Sequence, residues 1–170
     1  ILDGSGNPVE YENTGKPMAY QVFNPALVGF PLVDEDGERS MYAAHKGEQM
    51  MCAFCDLDAY NNDWLISPLL PGSEQQITFY AKSYTPYYGL EAFIVMVSSS
   101  GTATGDFREL TEVINAPADW TRYSFTLPEG TRHFAIRCVS VNMFALCVDD
   151  VKFIPASSAP IEMALTGYNV

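Results

Sequence analysis

The sequence is poor in charge and especially poor in cations. Charged residues make up 18% of the 170 residues, and 9 Lys and Arg stand against 21 Asp and Glu, so the formal net charge is −12. Nucleic acids and anionic membrane surfaces attract basic proteins, so this balance argues against both as partners. The acidity is compatible with a bound cation, a neutral sugar or a basic protein partner, and it also promotes solubility by itself.

Long hydrophobic runs and helical periodicity are also lacking. No apolar run approaches the roughly 18 to 20 residues that a membrane-spanning helix needs, so the sequence predicts no membrane insertion. No segment repeats its apolar residues with a helical period. The chain starts at Ile1 without a recognisable signal peptide. We interpret it as a mature form or fragment whose targeting segment has been removed.

The 4 cysteines are too few for a disulfide scaffold. Cys52 and Cys55 form the motif C-A-F-C, but a strand turns positions three apart to opposite sides, and there is no second such motif, so neither zinc nor thiol redox chemistry is predicted there. Cys138 and Cys147 would lie opposite each other if their strands formed one hairpin, and could then form a disulfide. The alternative is a pair of buried free thiols.

Short strand patterns separated by turn residues fill the middle of the chain. In one of them, Ile77, Phe79 and Ala81 alternate with polar residues and should share a buried face. This succession predicts an all-β fold, either a sandwich or a barrel. The predicted strands lie at 18–23, 50–54, 64–66, 76–83, 92–98, 107–114, 122–127, 132–141 and 144–154.

Two adjacent acids interrupt the last apolar strand. Asp149 and Asp150 stand within F-A-L-C-V-D-D-V-K-F-I. Because Asp is depleted in strands and buried charge is costly, the pair suggests a bound cation, unless it is a solvated acid of an edge strand. Calcium takes about six to eight oxygen ligands. Asp34 and Asp36, in an acidic loop with a glycine, are the candidates for further carboxylates, although this loop could be an ordinary hairpin; backbone oxygens of 45–47 are a further source.

Aromatic residues in predicted loops are candidates for ligand binding. Tyr84, Tyr87 and Tyr88 stand in the segment Y-T-P-Y-Y-G, and exposed tyrosines offer flat faces for sugars or proteins. The alternative is a loop that packs back on the sandwich. Asn62, in the run N-N-D before Trp64, is a candidate for hydrogen bonding to a sugar, or else belongs to a polar turn that bonds its own backbone.

Catalysis has little support in the sequence. No serine lies in a G-x-S-x-G motif. The side chains of Asp149 and Asp150, adjacent in a strand, diverge and do not flank a substrate as the carboxylates of a glycosidase do. We therefore predict that the domain is not an enzyme.

Several motifs, in order, resemble the cleaved adhesin family, also called choice-of-anchor J domains. These are jelly-roll modules of Bacteroidetes surface proteins, including the adhesin regions of gingipains. The resemblance covers about residues 40 to 155. The matching motifs are N-N-D-W-L-I-S-P at 61–68, P-G at 71–72 before I-T-F-Y at 77–80, V-M-V-S-S-S-G at 95–101, W-T-R-Y-S-F-T-L-P-E-G-T at 120–131, F-A-I-R at 134–137 and V-D-D-V-K-F at 148–153.

The resemblance implies a two-sheet jelly roll, similar to carbohydrate-binding modules and MAM domains, with structural calcium. It implies a secreted or cell-surface module that binds glycan or host protein. A structural spacer, or an accessory domain of a secreted peptidase or glycoside hydrolase, is the alternative. The predicted organisation is an irregular lead-in at 1–16, the jelly roll at 17–155, and at 156–170 a linker that leads into the start of a module resembling fibronectin type III. The parent protein is then modular.

Overall fold

The computed structural model describes residue 16, residues 18–55, residues 60–155, and the backbone of residues 161 and 162. Most of the predicted lead-in and of the segment after residue 155 lies outside these residues. No helix in the described part is long and apolar enough to cross a membrane. The described strands are β1 Gln21–Phe23, β2 Met50–Phe54, β3 Asp63–Ile66, β4 Gln75–Ser83, β5 Ala92–Ser98, β6 Arg108–Glu109, β7 Ile114–Asn115, β8 Thr121–Leu127, β9 His133–Cys138, β10 Ala145–Pro155 and β11 Ile161–Glu162.

The strands form two antiparallel sheets, packed as a sandwich. The first sheet has the order β1-β2-β10-β4-β8, with β11 paired to β10. The second has the order β3-β9-β5-β6, with β7 paired to β5. This is the all-β jelly-roll sandwich that the sequence predicts. β10 lies at the centre of the first sheet, between β2 and β4, so the acidic pair is carried by a central strand.

The main core lies between the two sheets. Ile77, Phe79 and Ala81 of β4 are all fully buried there, as their alternation predicts, and they face Phe93 and Val95 of β5. The rings of Phe79 and Phe93 meet edge to face at 5.8 Å between centroids. Each of the buried Ile, Phe and Val side chains contributes about 1.5–3 kcal/mol from the burial of apolar surface alone, and the smaller Ala81 contributes less.

A second apolar cluster lies on the outer side of the first sheet, beneath residues 24–48, which we call the cover segment. It contains aromatic and small side chains from β1, β2, β10 and the cover segment itself. Polar contacts fasten the segment: the Trp120 indole donates to the Ala43 carbonyl at 3.1 Å, and the buried Lys82 ammonium donates to the Met41 carbonyl. The sequence predicts only a loop here, because the segment buries side chains without regular periodicity.

The structure corrects two predictions about strands. The predicted strand at 107–114 is two short strands, β6 and β7, separated by a loop. The predicted hairpin that would place Cys138 opposite Cys147 is wrong, because β9 belongs to the second sheet and β10 to the first. Cys138 faces the core between the sheets, whereas Cys147 faces the cluster beneath the cover segment. Residues 139–144 cross from one sheet to the other, and no turn motif in the sequence reveals that crossing.

Candidate functional site

The acidic pair sits at an irregularity in β10. Asp149 is still in register with Tyr80 of β4, but the register shifts between Asp149 and Lys152. Asp150 has a φ of 49°, in the left-handed region that non-glycine residues seldom occupy. A bulge of this kind redirects side chains and is frequent beside functional sites. The sequence shows the two acids but gives no sign of the bulge.

Both carboxylates meet the turn at residues 45–47. The Asp150 Oδ2 atom lies 2.6 Å from the His45 Nδ1 atom. The Asp149 Oδ2 atom accepts the backbone N–H of Lys46 at 3.0 Å, and its Oδ1 atom accepts the N–H of Asp150 at 2.7 Å. Burial raises the pKa of Asp149, and these two backbone hydrogen bonds partly oppose that rise. The turn therefore lies against the acidic pair, through the His45 ring and the Lys46 N–H; the use of its backbone oxygens as metal ligands stays a prediction.

His45 is held by stacking as well as by its carboxylate. Its ring lies parallel to that of Tyr80, with 3.6 Å between centroids, and meets Trp120 edge to face at 5.8 Å. A His–Asp pair serves catalysis when the histidine activates a nucleophile. The contacts found for His45 within the described residues are to Asp150, Tyr80 and Trp120, and none of these is a serine or cysteine. The pair is thus arranged to fix the turn.

The loop with Asp34 and Asp36 is a small hairpin closed by a bridge between Val33 and Arg39. The Asp34 Oδ1 atom accepts the N–H groups of Asp36 and Glu38, at 3.0 Å and 2.9 Å. This is the local capping typical of an Asx-turn. The alternative of an ordinary acidic hairpin therefore accounts for Asp34.

The four predicted calcium ligands do not form one cluster of carboxylates. No group of three or more His, Cys, Asp or Glu side chains among the described residues is placed to hold a metal. Asp149 and Asp150 remain, and the turn at 45–47 that contacts them carries backbone carbonyls, the other kind of oxygen ligand that calcium accepts. However, the Arg39 guanidinium donates to the carbonyls of Ala44 and Gly47 at 2.8 Å and 2.9 Å. Those carbonyls are thus shared with a cationic side chain.

The three predicted ligand-binding tyrosines divide into one buried and two exposed residues. Tyr84 is only 2% exposed, so the prediction that it belongs to an exposed recognition surface is wrong. Its ring packs against Phe23, Phe30, Tyr42 and Phe144. The reason is that β4 ends at Ser83 and Tyr84 still projects under the cover segment.

Tyr87 and Tyr88 are 83% and 55% exposed. They belong to a row of exposed apolar side chains at one end of the sandwich, where three connections meet. The Tyr88 ring stacks on Phe144 at 5.8 Å between centroids, and Tyr60 forms a bridge with Val141 in the same 139–144 connection. We call this row the tyrosine rim. Its members are Tyr60, Tyr87, Tyr88, Leu90 and Val141.

A buried acid fixes the connections beneath the tyrosine rim. Glu91 is 2% exposed, and its Oε1 atom accepts the N–H of Phe144 at 2.6 Å. Gly89 fits closely beside it: a Cβ atom there would lie 2.6 Å from the Met143 sulfur, and its φ of 108° favours glycine. The Glu91 hydrogen bond and the close approach of Gly89 to Met143 thus join the 84–91 and 139–144 connections beneath the rim.

We expect Glu91 to make stability depend on pH. Burial raises the pKa of the Glu91 carboxyl above its ordinary value, although hydrogen bonds from Ser140, Phe144 and Ala145 oppose the rise. The folded state therefore binds the proton more tightly than the unfolded state, and its free energy of unfolding falls as pH rises through the folded pKa. Relative to wild type, Glu91→Gln should gain stability in urea titrations as pH rises from the ordinary pKa of glutamate to the raised pKa of the folded state, and should gain no more above it. A constant difference would contradict the assignment.

Asn62 organises a polar site on the outer face of the second sheet. Its Oδ1 atom accepts both the Trp64 indole N–H at 3.0 Å and the Arg137 Nε–H at 2.8 Å. The Arg137 guanidinium lies over the Trp64 ring at 5.1 Å from its centroid, and the Phe107 ring also packs against Trp64, with 5.4 Å between ring centroids. Asn62 therefore positions Trp64 and Arg137. The sequence singled out Asn62, but Arg137 carries no local signal because it lies 75 positions away.

The comparisons with known proteins agree with this architecture. The model of the Cleaved Adhesin Domain matches residues 34–153. The chain belongs to the Cleaved Adhesin Domain family. No curated protein shows a significant sequence match to it.

Solved cleaved adhesin domains share the fold. The K2 domain of Lys-gingipain is 19% identical over 82% of this chain and 84% of its own, with a TM-score of 0.63. The K1 domain of Lys-gingipain from Porphyromonas gingivalis W83 is 21% identical over 88% of this chain and 98% of its own, with a TM-score of 0.61. At these identities the likeness shows the fold, and the site residues must be judged on this chain's own geometry.

Proposed function

We propose that this cleaved adhesin domain is a non-catalytic binding module of the cell surface or extracellular space, which holds a glycan or host-protein ligand at the tyrosine rim. The observation that carries the proposal is the exposure of Tyr87 and Tyr88, 83% and 55%, on a connection fixed by a buried carboxylate. Exposed aromatic rings are typical anchors for sugars and for protein interfaces. The membership of an adhesin family supports an extracellular location and a binding role.

Among the described residues no serine or cysteine is seen to contact His45, which favours binding over catalysis. His45, the histidine paired with a carboxylate, packs against Tyr80 and Trp120 and fixes a turn. The net charge of −12 continues to disfavour nucleic acids. A spacer domain would need no such exposed aromatic side chains, whereas an accessory domain of a secreted enzyme would be distinguished by the domain content of the full protein.

The test is to screen the domain against a glycan array and a panel of immobilised extracellular-matrix proteins. For the strongest binder, Tyr87→Ala/Tyr88→Ala should weaken binding at least ~10-fold, because two anchoring rings are lost, and should leave the melting temperature almost unchanged. Leu69→Ala is the matched control, since Leu69 is 63% exposed and follows β3 at the other end of the sandwich. If Tyr87→Ala/Tyr88→Ala bound as tightly as Leu69→Ala, the binding site would not be at the tyrosine rim. If the wild-type domain bound nothing on the array or the panel, the spacer would be favoured.

We also propose that calcium stabilises the domain at Asp149 and Asp150. The adjacent carboxylates at the bulge offer oxygen ligands of the kind calcium takes, and the turn at 45–47 that contacts them carries further backbone carbonyls. Bound calcium would join the bulge to the turn by replacing some of the His45 and Lys46 contacts. Asp34 and Asp36 would serve only if their hairpin moved toward the pair. The rival arrangement, in which His45 and the Lys46 N–H satisfy the carboxylates, predicts no response to calcium.

A further inference from the structure

Two cysteines from distant parts of the chain face each other beneath the cover segment. Cys52 of β2 and Cys147 of β10 are directly opposite in the strand register, and both are fully buried. Their Sγ atoms lie 3.3 Å apart although the residues are 95 positions apart in the chain. Both are free thiols in this structure.

The position of Cys52 and Cys147 in the antiparallel strand pairing is compatible with a disulfide bond. The Cys55 N–H donates to the Phe144 carbonyl, so those two residues are a hydrogen-bonded pair. Hydrogen-bonded and non-hydrogen-bonded pairs alternate along antiparallel strands, which makes Cys52 and Cys147 a non-hydrogen-bonded pair. The Cα atoms of such pairs lie about 4.5 Å apart with the side chains close, at the short end of the range that disulfides span.

We propose that Cys52 and Cys147 form a cross-strand disulfide when the domain folds in an oxidising compartment. The oxidant is a disulfide donor, either a small molecule such as glutathione disulfide or a protein disulfide. One cysteine thiolate attacks a donor sulfur, forming a mixed disulfide and releasing one donor thiolate. The second cysteine thiolate attacks the mixed disulfide, forming the Cys52–Cys147 bond and releasing the other. Two protons and two electrons pass in total from the cysteines to the donor.

The burial of the pair dictates when this reaction occurs. Burial raises the pKa of the Cys52 thiol well above its ordinary range, which suppresses the reactive thiolate in the folded domain. The exchange therefore takes place before the cover segment packs. Lys82 stands opposite Cys147 on the other side of β10, and its ammonium donates to the Met41 carbonyl of the cover segment. While the segment is open, this nearby cation favours thiolate formation.

The positions of the two other cysteines exclude them as disulfide partners of Cys147. Cys138 is also fully buried, but it faces the core between the sheets, on the opposite side of the first sheet from Cys147. Cys55 lies three positions along the ladder from Cys52, and its N–H donates to the carbonyl of Phe144, which is three residues before Cys147. The structure thus offers one cross-strand partner for Cys147, and it differs from the partner that the sequence alone suggested.

The experiment compares the domain secreted to the bacterial periplasm with the same domain made in the reducing cytoplasm. Free thiols are alkylated on lysis in denaturant, and peptides are mapped without reduction. The periplasmic protein should yield a peptide that links Cys52 to Cys147, with Cys55 and Cys138 alkylated. Its melting temperature should lie roughly 10 °C or more above that of the cytoplasmic protein, because the link closes a long loop, and reductant should abolish the difference.

Matched variants separate this bond from general effects of compartment. Cys138→Ala removes an equally buried thiol and should retain the link. Cys52→Ala/Cys147→Ala should melt at the same temperature from either compartment. Full alkylation of Cys52 and Cys147 in folded periplasmic wild-type protein would overturn the proposal, and so would a link to Cys55 or Cys138. Peptide mapping of the wild type decides the matter even if the double variant fails to fold.

Discussion

Tyr84→Ala should be the most damaging change at any of the residues that the sequence singles out for ligand binding. The side chain is 2% exposed and contacts four other aromatic rings beneath the cover segment. Its removal loses the transfer free energy of a large ring and leaves a cavity, which costs about 3–5 kcal/mol in comparable buried sites. For a domain of this size, that corresponds to a fall in melting temperature of roughly 10 °C or more. Thermal melting followed by circular dichroism would measure it.

Two controls make the Tyr84 result specific. The Tyr84 hydroxyl is buried and has no hydrogen-bond partner within the described residues, so Tyr84→Phe should cost almost nothing or should stabilise the domain. Tyr87→Ala removes the same side chain from an 83% exposed position and should change stability by less than ~0.5 kcal/mol. A Tyr84→Ala variant as stable as Tyr87→Ala would contradict the packing of the cover segment.

Removal of calcium should lower the melting temperature by roughly 5 to 10 °C. A ligand present at a hundred times its dissociation constant stabilises the folded state by roughly 2.7 kcal/mol, and a domain of this size loses that amount over such an interval. Melting in excess calcium and in excess chelator would measure the difference. Asp149→Asn/Asp150→Asn should abolish it, while the amide oxygens can still accept the hydrogen bond from Lys46.

The matched control replaces two exposed acids by the same chemistry. Glu112→Gln/Glu129→Gln changes the net charge equally, and both residues are exposed. That variant should keep the full response to calcium. If Asp149→Asn/Asp150→Asn kept the full response to calcium, the metal would not bind at the acidic pair. No response in the wild type would leave His45 and Lys46 as the partners of these carboxylates.

The fold class could be predicted because each strand has a recognisable pattern in its local sequence. Ile77, Phe79 and Ala81 alternate with polar residues, and the structure buries all three. The apolar run before Asp149 likewise predicts β10. What local patterns do not contain is which strands pair across long separations. For that reason the hairpin predicted for Cys138 and Cys147 fails, since alternation is the same whether the next strand joins the same sheet or the opposite one.

The candidate sites show the same limit. Tyr87 and Tyr88 are exposed as predicted, whereas Tyr84 is covered by a segment without periodicity that no local pattern places over β4. The contact of His45 with Asp150 joins residues 105 positions apart. Local sequence patterns identify single candidate residues. The residues that contact them depend on how the chain crosses between the sheets, which local patterns do not show.

A map of the ligand footprint tests the central claim most directly. It would be recorded as amide chemical-shift changes in two-dimensional NMR spectra on addition of the strongest binder from the glycan array or the matrix-protein panel. We predict that the largest changes fall in the three connections that carry the tyrosine rim, at residues 60–62, 84–91 and 139–144, with little change at residues 67–74. Changes confined to residues 67–74, or to the face around Trp64 and Arg137, would contradict binding at the rim.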